Sequence, residues 1–196
     1  MIYVGLTAEE TQVDQIVRLV QPKKPAISLN IRNSKLGKSA TDYLTKSLQN
    51  ADTMLTGLSL KFCFLSFEQI LSLANALRFS KNLVKLDLSN NGIRPKPAAF
   101  LLDSIQQNMS LTEINFHGNF LDNEFAVDLS YVLEKNPVLY KVDISQNPIG
   151  PEGARFILNA LLSVNDTLGS LGDLSQNVYM GVRIREELAQ ALLLNN

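Results

Sequence analysis

Aliphatic and polar residues along this chain follow a two-part pattern that repeats. In LVKLDLSNNGI (83–93), Leu86 and Leu88 alternate with polar neighbours, as in a strand with one buried face, and a polar turn follows before Ile93. The next stretch changes period. Ala98, Leu101, Ser104 and Ile105 fall on one face of a helix. The same pair of patterns recurs in LTGLSLKFCFL (55–65), LTEINFHGNFL (111–121) and LYKVDISQNPI (139–149), whose first leucines are 28 residues apart. The helical halves recur with them: Ile70, Leu73, Ala76 and Leu77; then Ala126, Leu129, Val132 and Leu133; then Ala154, Ile157, Ala160 and Leu161. Leu188, Ala191 and Leu192 supply the apolar face of a last helix around 181–194.

All four strand halves fit L-x-x-L-x-L-x-x-N/C-x-L, with Ile, Val or Phe in place of some leucines. Weaker copies flank them. ISLNIRNSKL (27–36) puts Leu29, Ile31, Ser34 and Leu36 in phase, and LGSLGDLSQNV (168–178) does the same for Leu174 and Asn177. In the latter, Leu171 and Leu174 are three apart rather than two, which predicts a bulge or slipped register near Gly172. On these motifs the chain resembles the leucine-rich repeat proteins. The segment NPIGPEGARFILNALLSVN (147–165) is similar to their ribonuclease-inhibitor subtype. The resemblance covers nearly the whole chain and is weakest at both ends. It implies an α/β solenoid, a horseshoe arc of about six repeats, with parallel strands on the concave face and helices on the convex face. Stacking alone buries the leucines of such units. The arc bends because strands pack about 4.8 Å apart and helices about 8–10 Å apart.

One domain is expected over 1–196: an incomplete capping unit at 1–25, strand-turn-helix repeats at 26–178, and the last helix at 179–196. In the capping unit, Ile2 and Val4 suit a short strand. Thr7 and Glu10 have capping-box spacing for a helix of about 8–20, with Ile16, Leu19 and Val20 on its apolar face and Pro22 and Pro25 ending it.

Composition narrows the function. A net charge of −1, with 19% charged residues, lacks the basic footprint of a nucleic-acid binder. No apolar run reaches the roughly 20 residues a membrane span needs. The start, MIYVGLTAEETQ, has no secretory pattern, and the one cysteine, Cys63, rules out an internal disulfide framework and suits a reducing, cytoplasmic setting. The sequons at Asn108 and Asn165 read as accidental in such a chain. Catalytic signatures are missing from the sequence. His117 is the sole histidine, Gly37-Lys38-Ser39 lacks the upstream glycine of a phosphate loop, and no Cys/His spacing suits zinc. The expectation is a non-catalytic protein without metal or cofactor.

The candidate chemistry is therefore that of an interface with another protein. Ser34, Cys63, Asn91, Asn119, Asn147 and Asn177 share the ninth repeat position, where a buried amide can satisfy neighbouring loop backbone. Cys63 in that slot reads as a buried structural thiol. Alternation places positions three, five, seven and eight on the concave face. Arg32, Lys61 and Lys85 should make its first part basic, and Asp87, Asp143 and Asp173 its later part acidic. Asn115 and His117 lie on the same rows. Phe62 is expected at the rim and Tyr140 at position two, as aromatic anchors. Phe64 and Phe120 stand just past the strands, as anchors or as a stack of their own. Leu193 and Leu194 hint at a cover over the last helix, by self-association or further repeats. Known members of the subtype suggest two other readings: a GTPase-activating-like regulator of a small GTPase, and a cytoskeletal or ciliary structural or capping protein.

Overall fold

Short strands alternate with helices along the described residues, and the strands pair in the order in which they occur. The computed structural model describes residues 2–3 and 28–195. The strands are β1 (Ile2–Tyr3), β2 (Ser28–Arg32), β3 (Gly57–Lys61), β4 (Lys85–Asp87), β5 (Glu113–Asn115) and β6 (Lys141–Asp143), all parallel in one sheet of order β1 to β6. The helices are α1 (Lys38–Gln49), α2 (Phe67–Phe79), α3 (Pro95–Gln107), α4 (Asn123–Lys135), α5 (Pro151–Ser163) and α6 (Val182–Leu194). The expected capping helix at 8–20, with its Thr7–Glu10 box, lies outside the described residues.

Register follows the repeat. Leu58 pairs with Leu86, Leu86 with Ile114 and Ile114 with Val142, so β3 to β6 all turn the same aliphatic position inward. The helical faces meet them: Ile70, Leu73, Ala98, Leu101, Ala126, Leu129, Ala154 and Ile157 are all buried. Alanine at the first of these helical positions in α3, α4 and α5 lets the helix sit close behind the sheet. Local signals start the helices. Ser66 and Gln69 form a reciprocal capping box on α2, and Pro95 and Pro151 open α3 and α5, where a missing N–H costs nothing.

The sixth copy departs from the rule. It forms no strand. After the single bridge between Lys141 and Ser170, Gly172 takes a φ of +80° and the chain turns into a 3₁₀ segment, Leu174–Gln176. A Cβ at Gly172 would collide with the Asp143 carboxylate, so the extra residue is accommodated only because it is glycine.

Two rows of asparagines run through the stack. In the first, each Oδ1 accepts from the loop of the preceding repeat. Cys63 N donates to Asn91 at 2.8 Å, Asn91 N to Asn119 at 3.0 Å, and Asn147 N to Asn177 at 2.9 Å. The Nδ2 groups donate to carbonyls of Leu60, Leu88, Phe116 and Ile144. Asn177 accepts its bond, but its buried Nδ2 has no protein partner among the described residues. The second row, absent from the sequence reading, closes the other edge. Asn108, Asn136 and Asn165 follow successive helices and donate to carbonyls left over at the end of the helix before, while Asn195, after α6, donates to the loop carbonyls of Asn165 and Leu168. Asn108 Nδ2 reaches Leu77 O at 2.7 Å, Asn136 reaches Ile105 O at 2.7 Å, and Asn165 reaches Leu133 O at 2.8 Å.

Candidate functional site

Five strands put their third- and fifth-position side chains onto one shallow trough of about 310 Å³, lined by Ser28, Asn30, Ser59, Lys85, Asp87, Glu113, Asn115, Lys141 and Asp143. Gly57 lacks the side chain that would narrow it. A Cβ there would meet Ser28 Oγ at 2.5 Å.

Few of these polar groups hang loosely. Asp87 Oδ1 accepts from Ser89 N at 2.9 Å, Asn115 Oδ1 from His117 N at 2.8 Å, and Asp143 Oδ1 from Ser145 N at 3.0 Å. The fifth-position residue thus closes its own turn onto residue i+2, an Asx pattern. Asp173 repeats it at the end of the stack. The Ser175 hydroxyl and then the Gln176 amide, with further help from Ser175 N–H and Arg185, hold the Asp173 carboxyl below its ordinary range. Bonds also cross between repeats: Ser59 Oγ donates to Asp87 Oδ2 at 3.2 Å, and His117 Nδ1 lies 2.9 Å from Ser145 Oγ.

Two placements differ from the sequence expectation, and a third adds to it. Lys85 is not an isolated cation, because its Nζ lies 2.6 Å from Glu113 Oε1. The basic part of the face therefore rests on Arg32 and Lys61, which make no ion pair among the described residues. At position seven, Ser89 and Ser145 are buried rather than presented, while Arg32 is exposed and Lys61 and His117 are partly so. Finally, Phe62 and Tyr140 do not share a rim. Phe62 follows the end of β3, whereas Tyr140 precedes the start of β6, so they border opposite edges of the sheet. Tyr140 lies against Gly169, where a Cβ would come within 2.5 Å of its ring.

Phe62 is 39% exposed, and Lys61 Nζ sits 5.5 Å from its ring centroid. Phe64 and Phe120, at 68% and 58%, do not stack on each other. Phe120 leans over Gly92 and carries the Arg94 guanidinium 5.6 Å from its centroid. Arg94 did not stand out in the sequence, because its contact runs to the next repeat.

Cys63 lies between Phe62 and Phe64 and is fully buried, its Sγ donating to Ile31 O at 3.4 Å. Burial pushes the thiol up to about 11. At pH 8 only about one molecule in a thousand carries the reactive thiolate. Labelling by an aromatic disulfide reagent at pH 8 should therefore run at least about a hundredfold slower than for the urea-unfolded chain. A rate within tenfold of the unfolded one would contradict the placement. Among the described residues no group of His, Cys, Asp and Glu could hold a metal ion, and no helix is long and apolar enough to cross a membrane.

Comparison with known proteins adds family context. A family profile described as Leucine Rich repeat matches residues 135–158, and one described as Leucine Rich Repeat matches 82–103. The chain is 28% identical over 170 residues to NACHT, LRR and PYD domains-containing protein 12 of Mus musculus, covering 86% of the chain and 16% of that protein. It is 26% identical over 145 residues to protein 14 of the same series in Homo sapiens, covering 74% of the chain and 13% of that protein. The chain thus spans a small part of the length of these relatives. Among solved structures, the tropomodulin C-terminal domain of Caenorhabditis elegans superposes with a TM-score of 0.61 at 19% identity, covering 93% of this chain and 92% of that one. Leiomodin-1 Actin-Binding Site 2 gives 0.61 at 16% identity, covering 93% and 88%. Both likenesses concern the fold.

Proposed function

The chain is a leucine-rich repeat protein, and on that premise we propose that it is a non-catalytic module, one domain over 1–196, that binds another protein through its concave face and rim. The supporting observation is the fixed polar row along the trough. Asp87, Asn115 and Asp143 are each held by their own turn, and Lys85 and His117 by neighbouring repeats, so little side-chain freedom is lost on binding. Arg32, Lys61, Phe62 and Tyr140 border that row and would add steering charge and apolar anchors. The reading involves no cofactor, metal or nucleic acid, no insertion into a membrane, and a cytoplasmic setting, with the ribonuclease-inhibitor-like subtype as its type of repeat.

Capture of partners from lysate, compared between the wild type and the Lys61→Glu/Phe62→Ala double variant, tests it. A partner enriched by the wild type should fall at least about tenfold with the variant, whose circular-dichroism melt stays within about 2 °C of wild type. Equal recovery removes the concave-rim reading.

A second reading, a cytoskeletal capping or structural protein, draws on the end-to-end match to the tropomodulin and leiomodin-1 domains, the latter described as an actin-binding site. Co-sedimentation with actin filaments and filament elongation rates test it. No pelleting and unchanged elongation would set it aside.

A further inference from the structure

We propose that the outer edge formed by the loops after β2, β3 and β4, with Phe120 of the next loop at its end, is a docking site for an acidic linear segment of a partner protein that carries aromatic or leucine anchors. The proposal rests on the reading of the chain as a protein-binding module and adds a surface beyond the concave rows.

The first observation is backbone conformation. At the eighth position of successive repeats the chain is left-handed: Asn33, Phe62, Asn90, Gly118 and Gln146 have φ between 53° and 67°. Asparagine and glycine tolerate this region. Phenylalanine does so at a cost of about 1–2 kcal/mol. Two positions on, Gly92 is left-handed at φ 67° and Phe64 matches it at φ 49°. The loop after β3 therefore places Phe62 where the other repeats use Asn, Gln or Gly, and Phe64 in the left-handed conformation that the next repeat gives to Gly92. Neither gains much burial in return, for Phe62 is 39% and Phe64 68% exposed. Folding alone disfavours both rings, whereas binding a partner would use them.

The second observation is charge. The loops and first helical turns of this edge, from the turn after β2 to the start of α3, carry Lys35, Lys38, Lys61, Arg94 and Lys96 against the single acid Glu68. Lys61 and Arg94 lie over the faces of Phe62 and Phe120, so each ring presents an apolar edge beside a cation. This pairing suits a partner with alternating carboxylates and apolar side chains. Phe67 and Phe100, in edge contact at 5.9 Å, extend the apolar surface onto the helices. In the next repeat Asp122 and Glu124 end the cationic stretch.

Geometry favours a peptide over a lipid surface. Phe64 and Phe120 stand two repeats apart, about 10 Å at the strand spacing, and an extended chain covers that in three residues. The anchors follow the line of the loops from repeat to repeat instead of spreading over a flat patch.

Fluorescence anisotropy with a labelled synthetic 14-residue peptide tests this, the probe having Asp or Glu at most positions and Phe at every third. Wild-type protein should bind it in the micromolar range, and the affinity should weaken with added salt. Peptides with Lys for the acids, or Ser for the Phe residues, should bind at least about tenfold more weakly. Arg94→Glu and Phe64→Asn should each lower affinity at least about tenfold, while Phe64→Asn raises the melting temperature because asparagine accepts the left-handed backbone. No preference for the acidic aromatic probe, or undiminished binding by both variants, overturns the proposal. So does adsorption to phosphatidylserine vesicles that depends on Phe64 and Arg94 when the peptide does not bind. A lysate partner lost with Lys61→Glu/Phe62→Ala but retained by Phe64→Asn and Arg94→Glu, together with no peptide binding, removes this edge and leaves the module reading standing. Peptide binding that is sensitive to Phe64 and Arg94, without a concave-face partner, does the reverse.

Discussion

Replacing Asn119 with alanine should lower the stability of the fold by about 3–5 kcal/mol. The Asn119 Oδ1 accepts from Asn91 N and Ile93 N, both at 3.0 Å, and its Nδ2 donates to Phe116 O at 2.8 Å and Leu88 O at 3.2 Å. Asn119 is 4% exposed, so water cannot replace what alanine removes. Each buried N–H left without an acceptor costs about 1–3 kcal/mol, and the carbonyls add less because each has a second lone pair. The residue ties the third repeat to the fourth. In a stack where units touch only their neighbours, a weakened junction also lowers cooperativity. Urea unfolding followed by circular dichroism should show an earlier midpoint and a shallower slope than wild type. A loss below about 1 kcal/mol would mean that the amide is not holding those backbone groups.

Phe116→Ala should destabilise by a similar amount, about 3–5 kcal/mol, for a different reason. Phe116 occupies the sixth repeat position, where the other strand repeats carry Ile31, Leu60, Leu88 and Ile144. Its extra bulk is matched by Phe125 in the first turn of α4. The two fully buried rings meet edge-to-face at 5.3 Å and 73°. Alanine leaves a cavity that a stack clamped on both sides cannot collapse. Phe116→Leu, restoring the aliphatic type of the neighbouring repeats, should cost about 1–1.5 kcal/mol. Thermal and urea melts of the two variants separate the cases. Equal losses would show that the ring pair, rather than volume, sets the penalty.

How far the sequence reaches is clearest position by position. Leu83, Leu86, Leu88 and Ile93 declare their burial by spacing alone, and the structure buries all four. This holds because a repeat forces each unit into its neighbour's environment, so local periodicity already encodes the tertiary contact. The ninth-position asparagines are visible as a repeated residue type, but the groups they bond to are visible only in the fold. The second asparagine row is hidden in the sequence because its spacing drifts, with Asn108 and Asn136 28 apart, Asn165 29 further on and Asn195 30 beyond that. Loop length varies there, and a fixed window loses the phase. Asp87 and Asp143 looked like free surface charge. The Asx bonds to Ser89 and Ser145 were legible in principle as a recurring Asp-x-Ser, and Lys85 facing Glu113 follows from equal repeat position once the strands are known to pair in register. Left-handed backbone at Phe62 could not be read from the residue, since that conformation suggests Gly, Asn or Asp and not phenylalanine.

Asn108 and Asn165 each begin an Asn-x-Ser/Thr triplet, the acceptor signal for N-linked oligosaccharide. In the folded chain the nitrogen that would carry the sugar is committed to a helix-end carbonyl, Leu77 O for Asn108 and Leu133 O for Asn165, and the residues are 2% and 6% exposed. Glycan transfer and native closure thus exclude one another. A chain modified on either nitrogen during synthesis could no longer seat that helix end, and a molecule that has already closed offers a transferase nothing to modify.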